Sequence, residues 1–282
     1  MTFKDDCVAN HGLPRLVQVD SITQLGANSA GSVIVSGSHG GVYSANVALV
    51  WGVRAAIFHD AGVGLGNAGI AGLDVLQMFS VPGAAVLSKT ALIGDVSGIV
   101  LNGIIGHVND AARDLGCIEG MSILEAVEKM AYAGSARSIQ PPSGESRTAL
   151  LVGGPVAVWA LDSASMVRPS DVDSIVVTGS HGQLLGRDPA TALKVIPTGA
   201  VFNDAGVTVH GPAGRLGALG HRGIPAATVA AATARIGDGC STYWDGVISR
   251  VNKPATAMGM GPGMRCRDFV ETLIEHTARA HH

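Results

Sequence analysis

The chain predicts an α/β fold built from two tandem, homologous, Rossmann-like βαβ repeats with mainly parallel sheet, related by a pseudo-twofold axis. Three observations predict it. Short runs rich in Val, Ile and Ala, bounded by Gly or Pro, alternate with stretches of helical composition, which is the pattern of βαβ crossovers and a parallel sheet. Gly37-Ser38-His39-Gly40 recurs as Gly179-Ser180-His181-Gly182, 142 residues later. Further anchors follow in the same order. Phe58, Asp60, Ala61, Gly62 and Val63 meet Phe202, Asp204, Ala205, Gly206 and Val207 at an offset of 144, and the register then settles at 143. There Pro82 meets Pro225, Ile93-Gly94-Asp95 meets Ile236-Gly237-Asp238, Val108-Asn109 meets Val251-Asn252, and Gly116 meets Gly259. Two long copies argue for a pseudo-twofold arrangement, because a solenoid needs at least about three short repeats.

Taken in order, the first repeat spans roughly 14–133 and offers three strands, "SVIVSG", "RAAIF" and "GAAVLS". Each is a short buried run with Gly or Pro at its borders. "SANVALVW" and "NAGIAGLDVLQMF" are the helices between them. The repeat closes on a helix that Ser122 and Glu125 open as a capping box, with Leu124, Val127 and Met130 expected on one face. Residues 134–155, containing Pro141-Pro142 and several Ser and Gly, read as linker. The second repeat, 156–279, should begin its first helix at Asp188-Pro189, an N-cap followed by Pro at the first helical position. It should close on a helix carrying Phe269, Val270, Leu273 and Ile274. Asp95 and Asp238 read first as helix N-caps.

Composition excludes several classes of function. A net charge of −3 with scattered Lys and Arg gives no footprint for nucleic acid. No apolar run approaches the roughly 20 residues that a membrane span needs, and the first residues lack a signal-peptide pattern, so no membrane partner and a cytoplasmic location are expected. Cys7, Cys117, Cys240 and Cys266 show no CxxC spacing and read as free thiols. The 39 glycines among 282 residues are about twice the usual share of roughly 7% and must serve turns and close packing. Only 15% of residues are charged and the mean hydropathy is +0.34, which points to a homo-oligomer covering apolar surface.

Ligands of parallel α/β sheets bind beyond the carboxyl ends of strands, where both shared motifs lie. His39 with Asp60, and His181 with Asp204, are expected to form general-base dyads if their strands are neighbours. Amides of Gly40, Gly41 and Gly182 would hold an oxyanion or anion. Ser38 and Ser180 are candidate nucleophiles or turn caps, and neither matches Gly-x-Ser-x-Gly. Unlike positions would orient an asymmetric ligand: His59 faces Asn203, Lys89 faces Ala232 and His107 faces Arg250. Cys240, expected near a helix N-terminus, is a candidate thiol nucleophile.

No cofactor motif is present. "GVGLGNAG" has GxGxxG spacing but lacks the acidic partner. No HExxH spacing appears either, so a divalent metal would have to draw on His39, His59, Asp60, His181, Asp204, His210 and His221. A His-Gly strand end followed by an Asp-Ala strand end is loosely similar to caspase-type cysteine peptidases. Gly62 and Gly206 stand where the nucleophilic cysteine belongs, so the activity is not carried over and no family is assigned. The parts point to a small-molecule enzyme, first a hydrolase of a small amide, cyclic amides included. Lyase or isomerase chemistry by proton abstraction beside a carbonyl is the alternative. A non-catalytic binding protein for an anionic metabolite is the third reading.

Overall fold

A computed structural model describes residues 14–134, 138–139, 144–206 and 214–280. Cys7, Pro141-Pro142, Val207, His210 and His281-His282 lie outside them. The chain forms two mainly parallel mixed sheets. The first contains β1 (Leu16–Val19), β2 (Val33–His39), β3 (Ala55–His59), β4 (Gly83–Val86) and β5 (Ile105–Val108) in that spatial order. Strands β1 to β4 are parallel, and β5 runs antiparallel to β4.

Helices α1 (Val42–Val50) and α2 (Gly72–Met78) cover one face of this sheet, and α3 (Val96–Asn102) and α5 (Ile123–Met130) cover the other. The short α4 (Asp110–Asp114) follows β5. Alternation sorts the side chains: Val33, Val35 and Ile57 pack on the α3/α5 side, whereas Ile34, Ala56 and Phe58 pack on the α1/α2 side. Both faces are therefore buried, which is why these strands read as unbroken apolar runs.

The second sheet has six strands, β6 (Arg147–Leu151), β7 (Val158–Leu161), β8 (Ile175–His181), β9 (Gly199–Asn203), β10 (Ala226–Val229) and β11 (Ile248–Val251). They are ordered β11-β10-β9-β8-β7-β6. Strands β7 to β10 are parallel, and the two edge strands are antiparallel to their neighbours. Helix α6 (Arg215–His221) packs on one face. Helices α7 (Gly239–Trp244), α8 (Lys253–Ala257) and α9 (Cys266–Ala280) complete the chain, and Phe269, Val270 and Leu273 of α9 are buried on the other face.

Three expectations need correction. Arg147–Leu151, expected as linker, is edge strand β6. Asp188 accepts from the Ala190 amide as an N-cap should, but Pro189–Thr191 is a single 3-10 turn and not a helix. In α5 the capping box forms, with Ser122 N and Oγ both donating to Glu125, yet the buried residues are Ile123, Ala126 and Met130, and Leu124 faces solvent. Asp95 and Asp238 do cap helices, accepting from Gly98 N and Ser241 N. Among the described residues no helix is long and apolar enough to cross a membrane.

Candidate functional site

Strands β2 and β8 end in Ser-His, and the two ends make matching contacts. Ser38 Oγ accepts from Ile22 N at 2.9 Å, and Ser180 Oγ accepts from Ala164 N at 2.8 Å. Each hydroxyl thereby fixes the loop that follows the neighbouring strand, β1 or β7. Those loops begin with Asp20 and Asp162, whose carboxylates accept from Val96 N at the start of α3 and Gly239 N at the start of α7. Carboxylates at a helix N-terminus satisfy amides that have no partner within the helix.

Both histidines are held the same way. His39 Nδ1 accepts from Gly41 N at 3.1 Å and His181 Nδ1 accepts from Gln183 N at 3.3 Å. Accepting at Nδ1 puts the proton of a neutral imidazole on Nε2, so each ring offers Nε2–H as a donor. Burial lowers His39 to about 4, with His59 adding to the shift. His181 is pushed well below the ordinary value by burial and then by the Arg215 charge. Near pH 7 both rings are therefore neutral donors.

Each ring is covered from the other half of the chain. A Cβ placed on Gly237 would lie 3.1 Å from His39 Cε1, and one on Gly94 would lie 3.1 Å from His181 Cε1. Gly94 and Gly237 have φ of 81° and 80°, so the paired Ile-Gly-Asp turns require glycine for both backbone and space. Ala61, Ile93, Ala205 and Ile236 form an apolar plug between the two sheets.

The expected His–Asp dyads do not form. β2 and β3 are neighbours, but their register pairs His39 with His59, and Asp60 lies one residue beyond. Its Oδ1 accepts from Gly62 N and Ser88 N at 2.7 and 2.9 Å, and its Oδ2 lies 3.8 Å from His107 Nε2. Asp204 Oδ1 accepts from Ala231 N at 2.8 Å, the same turn contact 143 residues after Ser88. The expected free amides are also engaged. Gly40 N donates to His59 O, Gly182 N donates to Asn203 O, and Gly41 N is taken by His39.

The His59/Asn203 difference is not a source of asymmetry at the ligand. His59 Nδ1 accepts from Ala61 N and its Nε2 bonds Ala91 O; Asn203 Oδ1 accepts from Ala205 N and its Nδ2 donates to Ala234 O. One acceptor and one donor staple the same pair of loops in each half. Lys89 and Arg250 are exposed and Cys240 is the second residue of α7; none of the three borders the cavity described below. Among the described residues no group of three or more His, Cys, Asp or Glu side chains is arranged to hold a metal.

What Ser38, His39, Ser180 and His181 do share is a cavity of about 480 Å³ between the two sheets. Its other walls are the start of α1, with Val42, Tyr43 and Asn46, and the loops carrying Ser21–Gln24, Gly144–Glu145, Asp162–Ser165 and Leu185–Lys194, together with Arg215. Glu145 is raised above the usual carboxylate range by burial, against hydrogen bonds from Ser163 and Tyr43 that lower it. Burial, then the Glu145 charge, pushes the Tyr43 hydroxyl up to about 12. Asp162 is likewise raised, chiefly by burial.

Sequence reasoning missed Asp162 and Ser163 although a signal existed: Asp20-Ser21 and Asp162-Ser163 share the 142-residue offset of the histidines. Glu145 fell inside the supposed linker, and nothing in the sequence marks Arg215. Neither family models, curated proteins nor solved structures match this chain.

Proposed function

We propose that the cavity is the active site of a small-molecule enzyme that moves a proton beside a carbonyl group, as a lyase or isomerase. The observation that carries this reading is the pair of neutral imidazoles that line the cavity, each with Nδ1 held by a backbone amide so that Nε2–H is the ring's remaining donor. Such a ring is a poor base through Nε2 and a good hydrogen-bond donor to an oxygen gaining charge. One of these donors stands at the end of β2 and the other at the end of β8, and both line the same cavity.

The chemistry follows from the parts. A substrate carbonyl oxygen accepts from His39 and His181. Glu145, made more basic by burial, takes the proton from the adjacent carbon, and the C–H electron pair moves into an enolate whose oxygen the imidazoles stabilise. Reprotonation of the same carbon on its other face, or of the far carbon of a conjugated enolate, gives isomerisation, and expulsion of a group one carbon further gives elimination. Amide hydrolysis is the weaker reading because its expected base and its expected oxyanion amides are engaged elsewhere.

The test is loss of the C–H signal next to the carbonyl in heavy water, followed by proton NMR over a panel of small aldehydes, ketones and oxo acids. Wild-type protein should exchange at least one compound, and His39→Ala should slow that exchange about a hundredfold to a thousandfold. Ligand-induced shifts without exchange would favour a binding protein, and amide consumption would restore the hydrolase.

A further inference from the structure

Arg215 opens α6 and is only 4% exposed. Its Nε donates to Gln183 O at 3.0 Å, Nη1 donates to the carbonyls of Thr191 and Ala192, and the guanidinium lies over the Phe202 ring. Nη2 has no partner among the described residues, and no carboxylate among them pairs with this charge. Elsewhere the same chain neutralises such a group: Arg147, 10% exposed, makes a two-pronged pair with Asp171 at 2.6 and 2.9 Å. A buried cation is costly unless something negative meets it, and Arg215 borders the cavity.

We infer that Arg215 anchors the carboxylate of a small, singly charged oxo acid, with the oxo group presented to His181 and His39. The inference rests on reading this cavity as the substrate site. A single charge matches the one buried cation of the walls: Arg215 is buried, the other cation among the lining residues, Lys194, is exposed, and Glu145 and Asp162 border the same space. Planar carboxylate suits the guanidinium fork. A volume of about 480 Å³ accommodates a small metabolite with room to spare.

The deciding experiment is calorimetric titration of the wild-type protein with 2-oxobutanoate, 3-oxobutanoate and 4-oxopentanoate, each against its primary amide, with inorganic phosphate as a further arm. At least one acid should bind, and its amide should bind roughly tenfold to a hundredfold more weakly. Equal binding of acid and amide, tighter binding of phosphate than of every acid, or binding of no acid at millimolar concentration each overturns the inference.

Arg215→Met should abolish the thermal stabilisation by the acid, whereas Arg215→Lys should keep part of it; if the Met variant fails to fold, the acid–amide pairs still decide. The two readings fail separately. An acid that binds through its carboxylate without C–H exchange leaves the anchor and removes the reaction. Exchange of neutral ketones with no preference for acids leaves the reaction and removes the anchor.

Discussion

Gly72 and Arg215 do the same backbone work in the two halves of the molecule and opposite side-chain work. Gly72 N donates to Gly40 O and Arg215 N donates to Gly182 O, both at 2.8 Å. In the first half, helix α1 follows His39 directly and packs on α2, leaving no volume at position 72, where a Cβ would lie 2.4 Å from Gly41 O. In the second half, among the described residues, no α-helix lies between His181 and β9, and the Arg215 side chain ties down that loop by donating to the carbonyls of Gln183, Thr191 and Ala192. The contacts shared by both halves build the walls and hold the rings. The contacts that differ supply direction: the Tyr43 phenol of α1 and Ser163 both bond Glu145, and the guanidinium comes from Arg215 at the start of α6.

The strongest test of that division addresses a feature that, among the described residues, only the second half has. Arg147 on β6 pairs with buried Asp171 and stacks 4.0 Å over Trp159. Arg147→Ala should cost about 3–5 kcal/mol in urea unfolding, because it strands a buried carboxylate. A loss well below that would mean the extra edge strand is not integral to the second sheet.

Next in size is a pH effect. His39 has a folded pKa lowered to about 4 from 6.5, so the unfolded chain binds more protons between those values. Stability is then fully present above pH 6.5 and falls as the pH drops toward 4, by at most about 3 kcal/mol from this residue. His39→Gln should flatten part of that slope, and an unchanged slope would contradict the burial assigned to the ring.

Gly72→Ala should destabilise by about 1–3 kcal/mol through forced backbone movement against Gly41 O, measured in the same unfolding assay. Tolerance would show that α1 and α2 can separate, which would weaken the contrast drawn above. At the small end, Lys89→Ala should leave both melting temperature and ligand affinity unchanged, since the side chain is exposed and borders no part of the cavity.

Much of this architecture is written locally. β2, β3 and β4 lie on the three apolar runs, α5 begins at its capping box, and α9 buries the predicted Phe269, Val270 and Leu273. The helix signalled by Asp188-Pro189 fails for a tertiary reason. The carbonyls it would use internally are taken by arginines: Thr191 and Ala192 by Arg215, and Leu193 and Val195 by Arg222.

The two histidines were legible because they recur at strand ends. Their partners were not, because neighbouring strands do not reveal which way the residue after the strand turns. Asp60 and Asp204 turn toward Ser88 N and Ala231 N, away from the rings that sequence order placed beside them.

The crossed cover of the rings has one further consequence. His39 is capped by Gly237 and His181 by Gly94, so neither half contains a finished pocket. Cut between residues 134 and 144, the chain would become two fragments whose complete cavity depends on dilution, its amount rising as the product of their concentrations at the dilute limit. Covalent linkage makes that assembly unimolecular, and the site is then as persistent as the fold itself.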